Sequence, residues 1–275
     1  AILAEKGREI FLESRCMRCH ASKGKGIPEM AMSGPSFANI GDRRHSAWMA
    51  EWILDPKAQR NSARMPKMLY GDTAAADAQA IAAYLASLQD PKKPAGKLFE
   101  ANNEAAEEMI RALNCVGCHN LPGNSVVEGK LSLSHVNQKF PKGELAAFLR
   151  APNAHFEWTR MPKFALTLQE AGNIAQWLRG KANECESIDR HATEEDVKRG
   201  KELMATIGCL NCHNHKQENK FKAIDLAALT PDKWRSGCLA DEPIGKSPYY
   251  GFKQEDSTAL RAFASSNRKS LHRHD

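Results

Sequence analysis

The sequence predicts a helical protein in which one unit is used three times. Six of the eight cysteines fall into three Cys-x-x-Cys-His strings at a near-regular interval. Before each string runs a short amphipathic helix with a small residue at one fixed position, and each copy closes on a second helix with an aromatic at one fixed position. At 275 residues the chain is long enough for two or three domains of ordinary size.

The opening helices read "GREIFLESRC" from Gly7, "AEEMIRALNC" from Ala106 and "GKELMATIGC" from Gly200. Gly7, Ala106 and Gly200 stand at one position, and Phe11, Ile110 and Met204 follow one turn later on the same face. A small residue there lets another helix come close. The partner expected in each copy is its own closing helix: "AIAAYLASL" (Ala80 to Leu88), "NIAQWLRG" (Asn173 to Gly180) and "ALRAFASS" (Ala259 to Ser266). Tyr84, Trp177 and Phe263 repeat there, with Ile81, Ile174 and Leu260 on the same stripe, as core faces. Between the helices "GPSFANIG", "KLSLSHVN" and "AIDLAALT" align Phe37, Leu133 and Leu226 as one buried position.

The strings themselves are "CMRCH" (Cys16, Cys19, His20), "CVGCH" (Cys115, Cys118, His119) and "CLNCH" (Cys209, Cys212, His213). Cys-x-x-Cys-His is the pattern of c-type haem attachment. A single match also suits tetrahedral zinc, but three at regular spacing are not chance. A Met-Pro follows in two copies, "ARMPKML" (Ala63 to Leu69) and "TRMPKFAL" (Thr159 to Leu166), whereas the third reads "GKSPYYGF" (Gly245 to Phe252).

Together these features resemble a class I cytochrome c, repeated over nearly the whole chain. The resemblance implies an all-α fold of three tandem class I cytochrome c-like domains at 1–90, 97–180 and a shortened 193–268, each with one covalently bound haem c. Polar linkers lie near "QDPKKPAGK" (Gln89 to Lys97) and around residues 180–196. It implies thioether attachment through Cys16, Cys19, Cys115, Cys118, Cys209 and Cys212, and proximal iron ligation by His20, His119 and His213. In the family a proline carbonyl accepts the other ring N–H of the histidine. Pro35 matches that position in the first copy, and Leu131 and Ile224 replace it in the others.

The opposite ligand implied by the family is methionine, a soft thioether that raises the potential and fills the sixth site. Met65 and Met161 match it. Methionine is more often core filler, but "RMPK" recurs at matching distances from two attachment strings. Met68, Met30 and Met32 are rivals to Met65, and His135 and His155 to Met161. In the third copy Ser247 stands at the methionine position and is too short to ligate. That haem is expected to be open or to take its ligand from Tyr249, Tyr250, His191, His272 or His274, and to be spectroscopically distinct. One disulfide, Cys185–Cys238, is expected to tie the linker to the third unit, the alternative being two buried free thiols.

Charge and hydropathy exclude other classes. The net charge of +6 is scattered except in the tail "NRKSLHRHD", and no nucleic-acid motif accompanies it. Each ferric haem with ionised propionates adds about −1 and each ferrous one about −2, so the total falls to roughly +3 oxidised and about zero reduced. No apolar run approaches the roughly 20 residues needed to cross a bilayer, which points to a soluble chain without a transmembrane segment. It begins at Ala1 without a leader, which suggests a processed protein or an excised segment. The expected function is single-electron transfer between redox partner proteins in the periplasm or an equivalent compartment, as a subunit or domain of a larger complex. The alternative is a haem enzyme in which the third haem acts on a small molecule or peroxide and the other two relay electrons.

Overall fold

The computed structural model describes residues 1–20, 33–94, 96, 99–184, 192–224, 228–230, 233–234, 236–243, 245 and 247–266. It is helix-rich. The helices are α1 (Ile2–Glu13), α2 (Ile40–Arg43), α3 (Ser46–Leu54), α4 (Pro56–Gln59), α5 (Ala74–Ser87), α6 (Asn103–Ala112), α7 (Val136–Lys139), α8 (Glu144–Arg150), α9 (Leu168–Lys181), α10 (Glu194–Thr206), α11 (Cys209–Cys212) and α12 (Gln254–Ala264). The strands are β1 (His119–Asn120) and β2 (Leu131–Ser132), paired in parallel with His119 opposite Leu131. No described helix is long and apolar enough to cross a membrane.

Local chemistry sets the helix starts. Asn102 accepts from the Ala105 N–H at 3.0 Å to begin α6, and Asp55 accepts from Ala58 at 3.1 Å to begin α4, where Pro56 occupies the first position. A full capping box opens α9: Thr167 Oγ1 accepts from the Glu170 N–H at 3.3 Å, while Glu170 Oε2 accepts from the Thr167 N–H at 2.7 Å. Thr193 and Asp196 exchange the same pair of bonds before and within α10.

The chain divides into two compact units: Ala1–Gly34 with Glu51–Ala78 and Lys201–Asp275, and Pro35–Ala50 with Gln79–Gly200. In the first unit α1 packs on α12. A Cβ at Gly7 would lie 2.0 Å from the Ala259 carbonyl oxygen, so only glycine permits this approach. One turn on, Phe11 is 1% exposed, with its ring centroid 5.3 Å from Phe263 and 6.1 Å from Trp234. Leu239, Leu260 and Ala264 complete this cluster. Burying a side chain of this kind stabilises by about 1.5–3 kcal/mol. At the helix edge Lys6 Nζ lies 3.5 Å from Asp256 Oδ1.

The second unit contains the core of α6, α8 and α9. Ala106 and Ala171 are fully buried there among Ile110, Val136, Phe140, Leu145, Ile174 and Leu178. The Arg44 guanidinium sits 4.3 Å over the Phe140 ring, and Arg179 donates to the Phe140 and Pro141 carbonyls at 2.6 and 2.7 Å. The same unit holds a second glycine contact: a Cβ at Gly200 would lie 1.9 Å from the Ala80 carbonyl oxygen.

These contacts correct one expectation. The second copy pairs its own opening and closing helices, α6 with α9. In the first copy the opening helix instead takes the closing helix of the third, and Gly200, from the third copy's opening helix, meets Ala80 of the first copy's closing helix. The physical reason lies in the repeat. All three opening faces carry the same small-then-apolar stripe, so each fits any closing face, and the stripe cannot name its partner. The aligned position of Phe37 and Leu133 is half-buried rather than buried, and Leu226 lies outside the described residues.

Candidate functional site

The three Cys-x-x-Cys-His strings are built alike. Each forms a single helical turn: Cys16–Arg18, Cys115–Gly117 and Cys209–Cys212. In the first, the Cys19 and His20 N–H groups both donate to the Cys16 carbonyl, at 3.2 and 3.0 Å; in the third, His213 donates to Cys209 at 3.0 Å. One turn brings two sulfurs and the following imidazole to neighbouring places, which is what attachment of a flat ring at two points and one axial ligand requires.

The residue ahead of each first cysteine is left-handed: Arg15 at φ 57°, Asn114 at φ 51° and Gly208 at φ 101°. This kink ends the opening helix and turns the chain into the attachment turn. Asparagine and glycine tolerate that conformation and arginine does so less readily. Aligning the last residue before each cysteine, "RC", "NC" and "GC", signals it in two copies of three.

The histidines differ in their surroundings. His20 Nδ1 donates to the Ile224 carbonyl at 2.8 Å. A carbonyl only accepts, so this bond fixes the tautomer and leaves Nε2 as the ring's basic nitrogen, suited to iron. The structure thus gives His20 the carbonyl of Ile224, where the sequence reading gave it Pro35. The exchange needs no special side chain, because any backbone carbonyl serves. In the second copy His119 Nδ1 is buried and makes no hydrogen bond among the described residues. Burial pushes this imidazole below its ordinary value, with the Leu131 main chain opposing. Asn120, buried beside it, braces the following loop. Its Nδ2 donates to Val127 and Lys130 carbonyls at 3.0 and 3.4 Å and its Oδ1 accepts from Val127 N–H at 3.0 Å. A shallow concavity of about 430 Å³ lies alongside His119, between Val116, Val127 and Lys130.

In the third copy the His213 ring lies on Gly34. A Cβ there would come within 2.6 Å of the imidazole carbon Cε1, and the Gly34 N–H donates to the Cys212 carbonyl at 2.6 Å. The attachment thiols of the first and third copies are held protonated. Burial pushes Cys16 far up; it also pushes Cys19 up to about 12, with Cys212 and Cys238 adding to it, and Cys209 up to about 12.

Met161 packs on the same apolar cluster as Cys115, which brings a Met-Pro and an attachment turn together in the second copy. Its rivals His135 and His155 lie in turns. Met65 is half-buried, and next to it Lys67 exchanges backbone bonds of 2.9 and 2.8 Å with Tyr249. Met68 reaches toward the third attachment turn, with its terminal carbon 3.4 Å from where a Gly208 Cβ would stand. The two tyrosines separate: Tyr249 donates its hydroxyl to the Asp241 carbonyl at 3.1 Å, while Tyr250 donates to Ser14 at 3.3 Å. Burial, then Cys16, raise the Tyr250 phenol well above its ordinary value. Of the pair, Tyr250 is therefore the one beside attachment thiols, those of Cys16 and Cys19 in the first copy and of Cys212 in the third, and its hydroxyl bond goes to the first copy's Ser14. Cys238 has a free thiol. Cys185, Met30, Met32, His191, His272 and His274 lie outside the described residues.

Residues 4–89 match the family model for cytochrome c. This stretch is a cytochrome c domain. The chain is also similar to cytochrome c oxidase subunit 2 of Alkalihalophilus pseudofirmus, at 37% identity over 95 residues, covering 32% of this chain and 26% of that protein. The chain thus spans about a quarter of the curated relative's length. No solved structure matches it. A cytochrome c domain implies haem c and electron transfer, and the residues fit the group. His20 is oriented with one nitrogen left for iron, and His119 stands opposite Leu131, the residue at the acceptor position of the second copy.

Proposed function

We propose that the chain is a triple-haem c-type cytochrome of three tandem domains that passes single electrons between redox partner proteins outside the cytoplasm, as a subunit or domain of a larger redox complex. The observation that carries this reading is the attachment turn, which recurs three times with the same left-handed entry and the same N–H bond back to the entry carbonyl, Arg18 to Arg15, Gly117 to Asn114 and Asn211 to Gly208. The cytochrome c domain over residues 4–89 supports it for the first copy. Support for a larger assembly comes from the relative, an oxidase subunit of which this chain matches 26%.

Haem c supplies reversible one-electron chemistry at its iron when bound. Cys16, Cys19, Cys115, Cys118, Cys209 and Cys212 would attach three such groups, and His20, His119 and His213 would each hold an iron. The His20 bond to Ile224 orients that ring and increases its basicity. Met161, which packs on the same cluster as Cys115, would complete the second site and keep other ligands out. Met65 would complete another. Tyr250 beside Cys16 favours a second reading, in which one site lacks a thioether and acts on a small molecule or peroxide.

Intact mass of the chain matured with its haem-attachment machinery tests the reading. The expected result is three covalent haems and reversible one-electron titration without peroxide turnover. A mass corresponding to fewer haems would refute it, and rapid peroxide turnover would select the enzyme.

A further inference from the structure

The contacts around the first and third attachment turns are crossed, and this has a consequence for the ligands. Four observations agree. Helix α1, which leads into Cys16, packs on α12 through Gly7 and Phe11. His20 donates to Ile224, which stands in the third copy at the place Pro35 holds in the first. Gly34, from the first copy's loop, lies under the His213 ring and donates to Cys212. Met68, from the first copy's Met-Pro segment, touches the position ahead of Cys209.

Ile224, Gly34 and Met68 thus each meet the attachment turn of the other copy, and α12 meets the other copy's opening helix. We propose that the two sites exchange their far halves. The haem on Cys16, Cys19 and His20 is completed by Ile224, Tyr250 and α12, and has no methionine. The haem on Cys209, Cys212 and His213 is completed by Gly34 and the segment 63–69, and takes Met65. The proposal rests on the reading that each string carries haem c, and it reverses the ligand assignment that chain order suggests. Chain order puts Met65 with His20 and the methionine-free site at His213. The family match over residues 4–89 follows chain order only and does not bear on the choice.

The exchange is tested on the native, haem-loaded protein. Lys6 and Asp256 lie 3.5 Å apart, so a zero-length carbodiimide cross-link between them is expected in the monomer isolated by size exclusion. Asp77 stands four residues before Ile81 as Asp256 stands four before Leu260. A Lys6–Asp77 cross-link in place of Lys6–Asp256 would overturn the exchange.

A second measurement reads the ligands. The double variant Cys16→Ala/Cys19→Ala should lose one haem by intact mass yet keep the whole sulfur-to-iron absorption band. Cys209→Ala/Cys212→Ala should lose one haem and about half of that band. The opposite pattern would overturn the proposal, and if either variant fails to accumulate the cross-link still decides on the unaltered chain. A native mass below three haems would sink the proposed function while leaving the Lys6–Asp256 cross-link standing, so the two failures are distinguishable.

Discussion

Phe11→Ala measures how much α1 contributes to holding α12. Phe11 is 1% exposed and packs 5.3 Å from Phe263 and 6.1 Å from Trp234. Truncating a phenylalanine in such a core costs about 3–5 kcal/mol, the lost ring contacts included. Each 1.4 kcal/mol is about tenfold in an equilibrium constant. Amides of α12 and of the turn Gly237–Leu239 that exchange through opening of this cluster should therefore exchange roughly 100- to 4,000-fold faster. Hydrogen exchange with mass detection on the haem-loaded protein reads this segment by segment. Amides of α9, whose core contains no part of the cluster, serve as the internal control. The reasoning fails if α12 changes less than tenfold, or if α5 loses its protection in place of α12.

Other outcomes follow from single side chains. Asn120→Ala removes three bonds from a buried amide and should cost about 1–3 kcal/mol, with lost exchange protection confined to residues 119–131; an unchanged denaturation midpoint would show that the brace is idle. Thr167→Ala breaks the capping box of α9 and should cost about 1 kcal/mol, restored largely by Thr167→Ser. His155 is held below its ordinary 6.5 by burial, then by Arg43, Arg44 and Lys93. The folded chain thus binds this proton later than the unfolded chain, and the stability it contributes above pH 6.5 falls as pH drops from there through the folded value. Imidazole titration by nuclear magnetic resonance should give a midpoint below 6.5, and a midpoint at or above it would contradict the placement.

The register of the helices was legible in the sequence because burial follows the helical period. Gly7, Phe11, Ala106, Ile110, Gly200 and Met204 are all buried, and so are Tyr84 and Phe263. The choice of partner was not legible. A stripe written three times fits three closing faces equally, and what separates them, Trp234 against Phe11 and Lys6 against Asp256, is scattered over distant segments. The same limit explains Pro35. Its role is played by a backbone carbonyl, which no residue type announces, so Ile224 could be placed at the acceptor position of its own copy but not matched to His20. The left-handed entry was legible at Asn114 and Gly208 and hidden at Arg15. Nor does the string "SPYY" show which tyrosine faces the attachment turn; the backbone pairing of Tyr249 with Lys67 decides it, and alternation then aims Tyr250 the other way.

A core made from both ends of a chain should also form late. Phe11 and Phe263 are roughly four times as far apart in sequence as Ile110 and Ile174, which meet in the second copy. Each doubling of a loop adds about 0.6 kcal/mol of closure entropy, so the longer closure costs about 1.2 kcal/mol more, or roughly eightfold in rate where closure limits the step. The apolar α6–α9 core draws its buried cluster from one copy, whereas α1 packs chiefly on α12, the last helix of the described residues. Pulse-labelled hydrogen exchange during refolding of the haem-loaded chain should therefore protect α6 and α9 first and α1 with α12 later, as one step. Protection of α1 together with α5, ahead of α12, would mean that the opening helix first takes its own copy's closing face. Simultaneous protection of both cores would mean that closure is not the slow event.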